Sequence, residues 1–160
     1  MLNRRVLSLA IVAISMAGCA SVPAPVSVVD TIAKNPSLST LNGLIAQAGL
    51  ASTLQGAGPF TVFAPSNDAF KRLPAKTMDD LTKNPEKLKD ALTFHVVPGL
   101  TMAAGVKNSN MKTLNGASLA LSKAGDAVTV EDAIVQTADI KATNGVVHII
   151  DTVLAPPAKK

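Results

Sequence analysis

The stretch Asp139-Ile-Lys-Ala-Thr-Asn-Gly-Val-Val-His-Ile-Ile-Asp-Thr-Val-Leu154 decides the fold. Asn144-Gly145 is a strong hairpin signal, because both central positions of a type I′ turn need positive φ and Asn and Gly tolerate it best. Before it, Ile134 to Ile140 reads as a strand. After it, Val146 to Leu154 reads as another, with Val146, His148 and Ile150 alternating onto one face. The same alternation extends back to Met111. Met111–Leu114 and Ala117–Ser122 flank a second Asn-Gly pair, Asn115-Gly116, and Ala124-Gly-Asp126 turns into Ala127–Glu131. The second half of the chain is therefore expected to be antiparallel strands.

The first half has a different period. Leu41, Leu44, Ile45 and Ala48 recur at i, i+3, i+4 and i+7, which makes one apolar helical face within Ser37–Gly49. Ser37 or Ser39 is placed to cap it. Val28–Asn35 reads as a short helix, and Phe60–Ala64 as a short strand stopped by Pro65. Ser66 then caps a helix through Arg72, with Asp68 in the first turn, where the helix dipole favours a carboxylate. Thr77 and Asp80 have capping-box spacing. Asn84-Pro85 opens a helix that carries Leu88, Ala91, Leu92 and His95 on one face. Helices followed by strands place the chain in the α+β class.

Working further outward, Met1–Arg5 carries two positive charges and Val6–Ala17 is apolar. That is a signal-peptide pattern, too short to span a bilayer stably. Met16-Ala17-Gly18-Cys19 resembles the bacterial lipobox. Cys19 is the single cysteine in the chain. It has no intramolecular disulfide partner, and acylation would remove a free thiol from an oxidising compartment. The expected organisation is therefore a lipoprotein signal peptide at 1–18, a lipidated Cys19 with a Pro/Ala tether to residue 25, one domain over 26–157 and a basic tail at 158–160. Ala20 is not the aspartate that retains some lipoproteins in the inner membrane, which favours the outer membrane.

Composition narrows the function classes. The 160 residues are 48% hydrophobic, enough for a real core. The aromatics are Phe60, Phe63, Phe70 and Phe94, with no Trp or Tyr, so a stacking surface for bases or sugars is not expected. Net charge is +4, half of it from Arg4 and Arg5, and the remaining Lys residues are scattered among acids. No basic run follows a phosphate backbone, and nucleic acid is not an expected partner. The glycines Gly56 and Gly58 precede Pro59 and a strand, so they do not form a phosphate loop. No Gly-x-Ser-x-Gly elbow is present. No cofactor is implied.

Three ordered segments resemble the fasciclin domain: Gly58-Pro-Phe-Thr-Val-Phe-Ala-Pro-Ser-Asn-Asp-Ala-Phe70, then Leu92-Thr-Phe-His-Val-Val-Pro-Gly99, then Asp139–Leu154. The resemblance covers about Val26 to Pro157. It implies a wedge of strands with helices packed around it, and a non-catalytic adhesion or matrix-binding module. It also implies Phe94, His95, Asp139 and Ile140 as candidate partner contacts. Phe94 stands where the family carries a tyrosine, and Ala138 stands where some animal members carry a proline in an integrin-binding motif. There is no Arg-Gly-Asp, so integrin binding is not carried over.

Each of these residues also has a structural reading. His95 and His148 are candidates for buried, hydrogen-bonded histidines. Asn144, Gly145 and His148 form a structural motif around the turn. Asp139-Ile140 is either a contact or a strand end. The expectation is a lipid-anchored envelope module, held to the membrane through Cys19 and binding an unidentified protein or envelope ligand. One alternative is a carrier with an apolar pocket between helices and sheet. Another is a hydrolase in which Ser66, His95 and Asp151 converge, or a metal protein in which His95 and His148 converge with Asp139 or Asp151.

Overall fold

The structure is a computed structural model that describes residues 26–156. The leader, Cys19, the tether and the basic tail lie outside the described residues.

Helix α1 (Val28–Lys34) starts in a full capping box. Ser27 Oγ accepts from the Asp30 N–H, and the Asp30 carboxylate accepts from the Ser27 N–H. Asn35 ends it and, by accepting from the Ser37 N–H, starts one 3-10 turn over Pro36–Leu38. Helix α2 (Ser39–Gln47) buries Leu41, Leu44 and Ile45, as their spacing predicts. A short α3 (Ala51–Gln55), absent from the sequence reading, buries Leu54.

Strand β1 (Phe60–Pro65) leads into α4 (Asn67–Arg72), where Ser66 Oγ accepts from the Ala69 N–H as expected. Three caps differ from expectation. Neither Ser37 nor Ser39 caps α2. Its Thr40 N–H donates instead to Oδ1 of Asn67, a residue 27 positions away. Thr77 and Asp80 make no capping box, because α5 (Ala75–Lys83) begins earlier, behind Pro74, and encloses both. Helix α6 (Pro85–Phe94) has proline at its first position as expected, but the Asn84 amide donates to the Asp80 carbonyl and closes α5.

Strands β2 (Val96–Pro98), β3 (Ser109–Lys112), β4 (Ser118–Ala124), β5 (Ala127–Val130), β6 (Ala133–Ala142) and β7 (Gly145–Ile150) complete one sheet, in the order β2-β1-β7-β6-β5-β4-β3. The pairs are antiparallel except β1–β7, which runs parallel from Phe60↔Gly145 to Pro65↔Ile150. The strands of the second half pair antiparallel, as expected; the parallel pair is added by β1, from the first half. Turn signals report on neighbours in sequence, whereas β1 and β7 are brought together across the intervening chain. The Leu114 N–H, just past β3, donates to the Val96 carbonyl of β2 at 2.8 Å. The sheet therefore curls so that its two edges approach.

The curled sheet has two cores. Outside it, α1, α2 and α6 lay Ile32, Leu41, Ile45, Leu88 and Leu92 against Val62, Val147 and Ile149. Inside, Phe63, Phe94, Leu119, Val130 and Ile150 fill the curl. Strands β1 and β7 face both cores, which is why β7 is buried at every position.

The turn between β6 and β7 differs from the type I′ expectation. Ala142 pairs with Gly145, so Thr143 and Asn144 occupy the turn, and neither Asn144 nor Gly145 has positive φ. Gly145 is required for a different reason. It passes so close to β1 that a Cβ would collide with the Phe60 carbonyl oxygen. Asn144 works through its side chain: Oδ1 accepts from the Val28 N–H, and the amide donates to the Leu54 and Gly56 carbonyls. At the other Asn-Gly pair, Gly116 alone takes positive φ, 87°.

Candidate functional site

Among the polar residues singled out from sequence, His148, Asp139 and His95 fall into two groups in the structure. The first surrounds His148 on β7. The ring is 2% exposed and stacks on Phe63 at 5.5 Å between centroids. Its Nε2–H donates to the Thr101 carbonyl at 2.8 Å, and its Nδ1 accepts from the Asp139 N–H at 3.2 Å. Asp139 sits in an irregular stretch of β6, between the pairs of Thr137 and Ile140, with φ 58°. Its carboxylate accepts from the Ala103 N–H at 2.8 Å. Thr61 on β1, fully buried, donates to the Gly99 carbonyl at 2.7 Å and accepts from the Thr101 N–H at 2.9 Å. Together Thr61, His148 and Asp139 strap the 99–103 loop onto the centre of the sheet. Thr61 was missed by sequence reasoning. It sits in an otherwise apolar strand run, and nothing local says that its hydroxyl meets a loop about 40 residues on.

The second group surrounds His95, 3% exposed at the end of α6. Its Nδ1–H donates to the Ala91 carbonyl at 2.7 Å, and its Nε2 accepts from the Leu154 N–H at 3.0 Å. The two histidines thus carry their protons on opposite nitrogens, each set by a backbone carbonyl. Burial lowers the His95 pKa to about 4, against the opposing pull of the Ala91 bond. Burial also lowers that of His148, opposed by Thr101 and by the Asp139 charge. Both rings are neutral at pH 7.

This arrangement corrects the candidate contacts. Phe94 and His95 are 2% and 3% exposed, so neither side chain presents a surface to a partner. Asp139 and Ile140 are half-buried, one holding a loop and the other packed on the outer core.

A catalytic constellation is not assembled from these residues either. Ser66 Oγ is committed to its helix cap, and both nitrogens of each histidine are on backbone groups. The Asp151 carboxylate accepts from the Ile134 N–H at 2.9 Å, which is the largest cause of its lowered pKa, and also engages Thr152 and Arg72. Among the described residues no group of three His, Cys, Asp or Glu side chains is placed to hold a metal ion. The space between helices and sheet, where an apolar carrier would need a pocket, holds the packed outer core. A groove of about 430 Å³ with a mainly apolar lining lies elsewhere, on the surface beside Leu100, Met111 and Leu121. No described helix is long and apolar enough to cross a membrane.

Comparison with known proteins agrees with this geometry. The Fasciclin domain family model matches residues 36–156. Protein sll1483 of Synechocystis sp. is 42% identical over 140 residues, covering 86% of this chain and 78% of its own. Cell surface glycolipoprotein MPB83 of Mycobacterium bovis is 37% identical over 150 residues, covering 91% of this chain and 66% of its own. Transforming growth factor-beta-induced protein ig-h3 of Sus scrofa is 41% identical over 135 residues, but this chain spans only 20% of its length. A FAS1 domain pair from the insect cell adhesion molecule Fasciclin I superposes with a TM-score of 0.64 at 18% identity, over 81% of this chain and 51% of that one. With the family match spanning most of the domain and a curled sheet that superposes on a solved FAS1 structure, this chain belongs to the fasciclin domain family.

Proposed function

We propose that this protein is an exported, lipid-anchored binding or adhesion module of the cell envelope, with no chemistry of its own. The observation that carries the reading is where its polar groups go. Among the described residues, the histidines, Thr61, Asp139, Ser66 and Asp151 all hold backbone in place, which makes a rigid scaffold and does not pair any of these side chains as nucleophile and base. A rigid scaffold suits presentation of a surface, because little ordering entropy is then lost on contact. A relative named as a cell surface glycolipoprotein, and a solved fold from a cell adhesion molecule, support the same reading.

The anchor in this reading is Cys19. Its thiol is a strong nucleophile beside the Gly18–Cys19 cleavage point, and acylation there would fix the mature chain to the membrane. More than one acyl chain is needed for stable anchoring. Confinement to a surface raises effective concentration, so a contact too weak to hold a diffusing protein can act by avidity. Ala20 favours delivery to the outer membrane. The test is fractionation of cells expressing the native chain or Cys19→Ser. Membrane association of the native chain that is lost in Cys19→Ser supports the reading. Equal release of both as soluble protein contradicts it.

A further inference from the structure

We propose that the domain lays one defined face against the bilayer, the face around Leu100, and that Leu100 enters the lipid interface. This rests on the Cys19-anchored reading and adds to it an orientation.

The first observation is where the chain enters the domain. The Val26 carbonyl accepts from the Thr143 N–H at 2.9 Å and from Thr143 Oγ1 at 3.1 Å, and Asn144 holds the Val28 N–H. Entry is therefore fixed at the β6–β7 turn. That turn shares an opening of about 380 Å³ with Pro59 and Leu100. Leu100 also borders the groove beside Met111 and Leu121, so this half-exposed leucine, at 53%, joins the two openings on the entry side.

The second observation is length. Cys19 and Val26 are seven Cα steps apart, at most about 25 Å when fully extended. A domain of this size is about 35 Å across. The tether is too short to let the far side rest on the membrane, which keeps the entry half of the domain turned toward it.

The third observation is chemistry. No carboxylate lines either opening, and Lys107 lines the larger one. Asp139 accepts from Ala103 nearby but lines neither. Exposed Ile134, by contrast, has its N–H on the Asp151 carboxylate and Asp132 two residues before it. An apolar side chain beside a lysine, with no acid facing it, matches an anionic lipid interface.

The experiment uses the full chain, processed in cells and reconstituted into phosphatidylethanolamine/phosphatidylglycerol vesicles that carry a lipid-borne quencher. With Cys19 acylated, a new cysteine is the single free thiol for a fluorophore, placed by Ser109→Cys in the groove, which leaves Lys107 in place, or by Lys76→Cys on α5. Quenching several-fold stronger at position 109 than at 76, and reduced in a Ser109→Cys, Leu100→Asp double variant, is the expected result. Equal quenching at both sites overturns the orientation while leaving the anchor intact. A label at 109 shielded from a water-borne quencher but untouched by the lipid-borne one places another macromolecule on this face, and also overturns it. If the mass of the mature chain shows no acyl group, the anchored reading fails and the orientation falls with it.

Discussion

His95 is the residue whose ionisation bears most directly on stability. In the folded state its pKa is lowered to about 4 by burial, while the unfolded ring titrates near its ordinary 6.5. Below pH 6.5 the unfolded chain takes up a proton that the folded chain refuses, so stability falls as pH drops toward 4 and levels off below it. Above 6.5 the group contributes no pH dependence. The slope from one such histidine approaches about 1.4 kcal/mol per pH unit, and His148, shifted in the same direction, adds to it. Urea unfolding at pH 7 and pH 4.5 is expected to show a clear loss at the lower value. His95→Gln is expected to be less stable at pH 7 and to lose less on acidification. Asp139 offers a second test. Its φ of 58° suits Asn, and its carboxylate serves Ala103. Asp139→Asn is expected to lie within about 1 kcal/mol of the native protein. Asp139→Ala, strained and leaving the Ala103 N–H without its acceptor, is expected to cost about 1–3 kcal/mol in chemical denaturation.

Among the elements, α2 and the β6–β7 turn were legible in the sequence only in part. The apolar spacing of Leu41, Leu44 and Ile45 showed where α2 runs and which face it buries. Its cap was not legible, because Asn67 arrives from another helix. Asn67→Ala is expected to cost about 1 kcal/mol, the loss of one N-cap, whereas Ser39→Ala changes little; thermal unfolding of the two variants separates them. The Asn144-Gly145 pair was legible as a turn but not in its phase, since the collision that demands Gly145 comes from Phe60, across the β1–β7 pair. Gly145→Ala is expected to destabilise by about 1–3 kcal/mol, as overpacking does. Gly43→Ala, in open space inside α2, is expected to stabilise by about 0.5–1 kcal/mol. Opposite shifts of urea midpoint in these two Gly→Ala variants would distinguish a packing glycine from a merely flexible one. The histidines were legible as structural from their apolar faces. The strap they help form was not, because hydrogen bonds between β1, β6, β7 and the 99–103 loop leave no periodic trace.

For the whole molecule, the change from helical to alternating period near residue 111 corresponds to the division between the helices and the strands β3–β7. The class and the family both follow from it and from the three ordered segments. What sequence periodicity does not contain is the parallel β1–β7 pair, whose strands face both cores. The anchored-module reading makes the chain's cellular position depend on one atom, the Cys19 sulfur, and everything proposed for the domain's orientation depends on it in turn. The most direct measurement is therefore the mass of the N-terminal peptide of the mature protein purified from membranes. The expected result is a chain beginning at Cys19 and carrying diacylglyceryl and acyl groups. A mature chain that begins elsewhere, or begins at Cys19 with no lipid, would contradict the anchored module and leave a diffusible fasciclin domain in its place.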